Sequence, residues 1–391
     1  AAGRVPATAG RYPAAAGRVP ATAGRPCYTA AMTLPEHIGT LLQDLVAARG
    51  PCGQEDEVDA VCRTWLDQAG LAWWRDPAGN LITRLTGRDD TDDRAIRIFI
   101  HLDEISFIIK RILPDGTVKL AALGSFSPAF LGQLPVEILA DEKIVRGVLS
   151  LGSWHTGEET PDVWHAKHGN YDLNQYEVIT GMDGQTLVEN GVRPGARVVI
   201  AGQHRSLWDM GTLIAGFALD NRAPITATLE ACRLLLEADG PAVPVYVVFT
   251  REEELGSGTA GYAAGTLPGA VSIAVDVSPV SPDEYGNEVD PYPTIGYRDD
   301  YAVYNKPLAD TLVTHALQLE MLPGIGIFEN YSSDASAAKR LGRTAQAGLI
   351  GIPMENTHGY EIIHPGAIAN TAQLIATYLN DPEPGGQDDG G

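Results

Sequence analysis

Four apolar runs of this chain end in groups that bind metals or move protons. The run AIRIFI (95–100) leads into His101-Leu102-Asp103-Glu104, and VYVVFT (245–250) leads into Arg251-Glu252-Glu253-Glu254. VSIAVDV carries Asp276 near its end, and AGLIGIP (347–353) precedes His358. A fifth candidate, Asp220, opens a helical stretch with Asn221-Arg222-Ala223-Pro224. Each has an ordinary reading by itself: a solvated Glu pair, a local His–Asp hydrogen bond, or a helix cap at Asp220 or Asn221. Ligands of open α/β sheets bind beyond the carboxyl ends of strands, so these residues are expected along one edge. Imidazole and carboxylate without thiolate suit Zn, Co or Mn. One Asp bridging two ions, with one carboxylate and one His for each, makes a balanced dinuclear site that can activate water and polarise a carbonyl. Of the adjacent glutamates, one would bind metal and the other carry the water's proton.

The elements that must hold these groups read as an α/β fold, a mostly parallel sheet flanked by helices. Thr33 and Glu36 have capping-box spacing ahead of Ile38, Leu41, Leu42, Leu45 and Val46, with Gly50 as a stop. A second helix is expected over about 55–69, with Val58, Val61, Cys62, Trp65 and Leu66 on one face. Between 113 and 206 the runs become short and β-like, separated by Gly, Asp, Asn and Pro, which predicts an inserted all-β domain. The catalytic domain then spans 32–112 and 207–380. The segment AAGRVPATAGR occurs at 1–11 and again at 15–25, so residues 1–31 read as a disordered low-complexity tail ahead of a natural start at Met32. Residues 381–391 read as a loose acidic tail.

The formal charge is −22, and the first 31 residues carry four Arg and no acid, leaving −26 on the remainder. Such a surface repels phosphate backbones and anionic lipid, which excludes nucleic-acid and membrane partners. Cys27, Cys52, Cys62 and Cys232 show no paired spacing, so neither a disulfide framework nor a zinc finger is expected, and a reducing compartment is. No run reaches the length of a bilayer span and the N-terminus lacks the apolar core of a secretory signal, so the expected location is cytoplasmic.

Around these residues the sequence resembles the dinuclear metallo-aminopeptidases that include the tetrahedral and glutamyl aminopeptidases of bacteria and archaea. The likeness runs from Gly53-Gln54-Glu55 through Asp76-Pro77-Ala78-Gly79-Asn80-Leu81, HLDEISFII, ALDNRA, FTREEELGSGTA, AVDVSP, SSDASA and THGYE. It implies that His101 and Asp276 hold one metal, Glu254 and His358 the other, and that Asp220 bridges them. It also implies Glu253 as general base and Asp103 as the carboxylate that orients His101. The implied cofactors are two divalent ions per subunit, Zn first and Co or Mn as alternatives. The implied fold adds a PDZ-like inserted domain, and the implied assembly is a homo-oligomer, dimers building a hollow dodecamer that admits short peptides. The implied reaction is removal of N-terminal residues by a water held between the metals.

The chain departs from the family pattern at Glu355-Asn356-Thr357, where members often carry Arg-Tyr-Ile, which would bear on substrate choice or subunit contacts. The stretch GSWHTGEETPDVWHAKH places His155, His165 and His168 in the insertion, read as a mobile surface loop, a metal-binding group or a segment facing the site. His364 competes with His358 as the last ligand, and the THGYE match favours His358. Asp334 reads equally as site-lining or structural, His315 as structural, and Trp65, Trp73 and Trp74 as packing the core or an interface. Three rival functions remain: a related dinuclear hydrolase of blocked or specialised amides, a metal-free glycosidase using Glu253 and Glu254, and a non-catalytic assembly protein.

Overall fold

A computed structural model describes residues 34–382 except 160 and 170, and the two expected tails at 1–31 and 381–391 lie largely or wholly outside that range. One sheet of 11 strands dominates the molecule. Its centre is parallel: Val245–Thr250, Ile96–His101, Val271–Pro279 and Gln346–Glu355 lie side by side in that order. Side chains alternate along these strands. Ile96, Ile98, Ile100, Val245, Val247, Phe249, Ile273 and Val275 pack on one face with helices that include Asp56–Gln68, Leu219–Glu237 and Gly366–Asn380. Phe99, Tyr246, Val248 and Ala274 pack on the other with Gly258–Thr266 and Asp334–Arg340. Burial on both faces explains why these runs are mostly apolar, with buried Arg97 satisfied by the Ala264 and Leu267 carbonyls.

The sheet is mixed rather than mostly parallel. Trp73–Arg75, Leu81–Leu85, Glu361–Ile363, Ile214–Gly216 and Trp208–Asp209 all join it antiparallel. Three of these pairings are hairpins whose links, 76–80, 210–213 and 356–360, leave no room for the helical crossover that a parallel return needs. Trp65 and Trp73 pack partly buried against the main core, while Trp74 stands edge-on to Tyr246 at 6.3 Å.

A closed six-stranded antiparallel barrel is inserted in the chain, with strand order Ser106–Ile112, Val118–Leu123, Glu177–Ile179, Ile144–Ser150, Pro135–Leu139, Arg197–Ile200. It has its own core, including Phe107, Val136, Leu149 and Val198. Its first strand precedes the expected boundary at 113, because SFIIKRI continues without a break from the His101 segment and carries no turn residue to mark the change. Helix Glu36–Ala47 starts from Pro35 without a side-chain cap, and Thr33 lies outside the described residues, so the capping box is not formed among them. The second helix spans Asp56–Gln68. His315 is buried and structural, its ring nitrogens engaging Gln318 Oε1 at 3.0 Å and the Asp381 carbonyl at 2.8 Å.

Barrel and sheet are tied by a buried ion cluster. Arg205, just past the last barrel strand, pairs with Glu104, and Arg222 reaches the same carboxylate at 3.3 Å. Arg205 also donates to the carbonyls of Ile200 at 3.0 Å and Ala48 at 3.2 Å. Burial raises the Glu104 pKa, but the two guanidinium groups outweigh it and hold the carboxyl below its usual range.

Candidate active site

The parallel register gathers the strand-end residues. His101 is the last residue of its strand, and the pairing of Val271 with Ile96 through Ala274 with Phe99 carries Asp276 to the level of His101 on the neighbouring strand. On the other side Thr250 pairs with His101, so Glu253 and Glu254 emerge just beyond it in a one-turn 3₁₀ helix. Asp220 stands at the non-helical start of Leu219–Glu237, with no side-chain cap there, so neither it nor Asn221 caps that helix. Asn221 instead donates to the Val275 carbonyl at 3.2 Å. His358 follows strand Gln346–Glu355 in the turn toward Glu361. Several of these turns hold side-chain-bearing residues in the left-handed region: Ala218 at φ 59°, Glu252 at φ 57°, Ser257 at φ 58° and His358 at φ 60°. Such strain collects at functional sites, where the surrounding fold over-determines the backbone.

Two triads result. His101 Nε2 lies 3.1 Å from Asp220 Oδ1 and 3.7 Å from Asp276 Oδ1. His358 Nε2 lies 3.4 Å from Glu254 Oε2 and 3.8 Å from Asp220 Oδ2. Asp220 therefore offers one oxygen to each triad. Ligands about 2.1 Å from a tetrahedral ion sit roughly 3.4 Å apart, which matches these separations. Asp220 Oδ1 is buried and has no hydrogen-bond partner despite its closeness to the imidazole. A buried oxygen left without a hydrogen bond beside an imidazole is a group that a cation would satisfy. Both triads are metal-competent groups, and no other such group occurs among the described residues.

The site is held by carboxylates that accept backbone amides. Asp103 Oδ1 accepts from Glu253 N at 2.9 Å and Oδ2 from Glu254 N at 3.1 Å. His101 Nδ1 lies 3.2 Å from the Asp103 main-chain carbonyl and 3.5 Å from Asp103 Oδ1, and Cys52 donates its thiol proton to Oδ2 at 2.9 Å. The ring of His358 is fixed from the barrel, its Nδ1 lying 2.6 Å from the Ser125 carbonyl. Ser257 donates its hydroxyl to Glu253 Oε1 at 3.0 Å. Burial pushes Glu253 well above the carboxylate range, and burial raises Glu254 to about 7. Burial works against protonation of His101, yet Asp103, Asp220 and Asp276 together raise its pKa well above the usual value. A buried nest of acids around two imidazoles has the electrostatics of a cation site.

A cavity of about 1270 Å³ opens over both triads. Its wall includes barrel residues Phe126 and Phe130 and, elsewhere, the carboxylates of Glu284, Asp300 and Glu329, with no Lys or Arg among the described lining residues. Asp334 is not part of that wall. It lies buried beneath it, accepts the Thr250 hydroxyl, and has its pKa raised to about 7 by burial. His364 is buried outside both triads, with Nδ1 accepting from Gly366 N at 3.0 Å. His155, His165 and His168 are exposed and belong to neither the triads nor the cavity wall. Glu355 ends its strand away from the wall. Sequence reasoning gave no role to Ser257, Cys52, Ser125 or Glu361. Ser257 and Glu361 sat within motifs, whereas the Ser125 contribution is a backbone carbonyl and leaves no residue-type signal.

A family model described as M42 glutamyl aminopeptidase matches residues 79–374. The chain belongs to this family. The M42 assignment makes it a peptide-bond hydrolase, an aminopeptidase, and the motifs that carried the resemblance lie mostly within the matched span. YhfE of Bacillus subtilis (strain 168), whose name marks it as a candidate aminopeptidase, is 25% identical over 354 residues, 88% of this chain and 97% of that one. A TET aminopeptidase from Thaumarchaeota archaeon SCGC AB-539-E09 shares the fold with a TM-score of 0.80 at 20% identity, covering 89% of this chain and 98% of that chain. The TET1 peptidase of Pyrococcus horikoshii, described as assembling into a tetrahedron or a large octahedral shell, gives a TM-score of 0.77 at 20% identity over 88% and 99%.

Proposed function

We propose that this M42 chain removes N-terminal residues from short peptides with the help of two divalent ions. His101, Asp220 and Asp276 would hold one, and Asp220, Glu254 and His358 the other. The observation that carries this reading is the division of Asp220 between the triads, one oxygen to each. Zinc fits the donor set, as do Co and Mn. When bound, the ions polarise the scissile carbonyl and make the attacking water more acidic. Glu253, buried and with a raised proton affinity, takes the water's proton and passes it to the leaving amine. Ser257 keeps its carboxylate turned to that task, and Asp103 fixes both the Glu253–Glu254 turn and the His101 ring. The acidic cavity wall suits a substrate with a free ammonium group.

The barrel is read as the PDZ-like domain of the family, and the assembly as dimers building a dodecamer, by likeness to TET peptidases. No helix of the described residues is long and apolar enough to cross a membrane. That and the buried free thiols of Cys52, Cys62 and Cys232 support a cytoplasmic setting.

The test is a panel of free-amine and N-acylated short peptides given to metal-stripped protein, then to protein resupplied with Zn, Co or Mn. Metal-dependent release from the free-amine set supports the aminopeptidase. Cleavage of blocked substrates alone reassigns the site to a deacylase-like hydrolase. Turnover that survives metal removal overturns the two-metal reading.

A further inference from the structure

Glu361 opens a short strand, Glu361–Ile363, that lies in the sheet between Gln346–Glu355 and Ile214–Gly216. Both neighbours lead into the site: the first runs on to His358, the second to Asp220. The register pairs Glu361 with Gly216, four residues before Asp220, and the turn places His358 three residues before Glu361. One side chain thus sits between the two segments. Its Oε2 accepts from Asp220 N at 3.0 Å and its Oε1 from His358 N at 3.3 Å. The residue is 2% exposed and makes no ion pair among the described residues. Burying a carboxylate without a counter-charge is costly. What Glu361 receives in return is the two amides, and both belong to residues that approach the same triad.

We propose that Glu361 is a positioning residue that couples Asp220 to His358 and so sets the affinity of the Asp220–Glu254–His358 site in particular. This rests on the two-metal reading above. Two of the three groups of that site hang on Glu361, whereas the His101–Asp220–Asp276 site has one such group and is fixed otherwise by Asp103 and by the parallel strands. The arrangement has a counterpart in Asp103, which accepts the amides of Glu253 and Glu254. The two carboxylates would thus brace the site from different segments of the chain, each through main-chain amides.

Glu361→Gln keeps the shape and removes one of the two acceptor oxygens, so one amide must face an NH₂ group. Glu361→Asp keeps the charge but is one methylene too short to span both amides. Metal-stripped wild type and both variants are titrated with Zn²⁺ alone by calorimetry, with thermal melts and steady-state kinetics on the same preparations. The expected result is two Zn²⁺ per wild-type chain, and in each variant one affinity lowered 10–100-fold with the other within about threefold. kcat falls while KM and melting temperature stay near wild type. Unchanged affinities in both variants overturn the proposal, as does an equal fall at both sites together with a lowered melting temperature, which marks a purely structural role. A wild type that binds fewer than two Zn²⁺ overturns the underlying metal-pair reading instead.

Discussion

Gly124→Ala tests whether the inserted barrel is part of the catalytic apparatus. Gly124 follows barrel strand Val118–Leu123 at φ +98°, a conformation that costs an L-residue about 1–3 kcal/mol. A Cβ there would meet Ile105 Cγ2 at 2.8 Å and Glu254 Oε2 at 3.2 Å. The Ile105 methyl can turn aside, but the Glu254 oxygen is the one that faces His358. Either that oxygen shifts from its place opposite His358 or the loop withdraws, and the next residue, Ser125, holds His358 Nδ1 through its carbonyl at 2.6 Å. Losing a partner that orients a metal-binding imidazole costs about 10–100-fold in affinity or activity, roughly 1.4–2.7 kcal/mol. The assay is kcat/KM on a free-amine peptide together with Zn²⁺ affinity. Gly132→Ala is the control: it lies in the same inserted segment at φ +76°, and nothing lies within 4 Å of its Cβ. It should pay a similar backbone cost with activity intact. If Gly124→Ala keeps wild-type kinetics and metal affinity, or if Gly132→Ala loses activity as much, the coupling of barrel to site is refuted.

Glu253→Gln should retain fold and metal while losing about 10²–10⁴-fold in kcat; near-normal turnover with full metal occupancy would remove Glu253 from the mechanism. Glu104→Gln leaves Arg205 and Arg222 buried without their counter-charge and should cost about 3–5 kcal/mol at neutral pH. Because the folded carboxyl titrates below its unfolded value, this stabilisation is present above that value and is lost as pH falls through the folded one. The difference in melting temperature between wild type and Glu104→Gln should therefore be widest near neutrality and narrow in acid, and a gap that widens in acid would contradict the assignment.

His101, Glu254, Asp276 and His358 were legible in the sequence because each follows a long apolar run, and a parallel sheet brings the ends of such runs together, whereas Asp220 showed only as the start of a helix and took its place from the family resemblance. His101 and Asp276 are set by strand register, which apolar patterning determines. The sense of the short outer strands was not legible. Trp73–Arg75 and Ile214–Gly216 are three residues each, too short for periodicity to fix a direction. The barrel boundary was missed for a related reason, since an apolar barrel strand and an apolar sheet strand look alike when no turn separates them. Glu361 acts by its place between two strands remote from each other in sequence, and Ser125 acts by its main chain. Neither property belongs to a local pattern.

The contacts of Arg205 bear on how such a protein can change over time. A single side chain closes the barrel's return segment, caps the carbonyl of Ala48 after the first helix and neutralises Glu104 beside the catalytic edge. An inserted module is ordinarily easy to exchange, because only its two crossing points must match the host. Here a transplanted barrel would have to bring its own arginine to the same spot, or the recipient would have to give up its glutamate in the same step. Barrel and sheet are therefore expected to be inherited as a matched set, and to melt in one calorimetric transition rather than two.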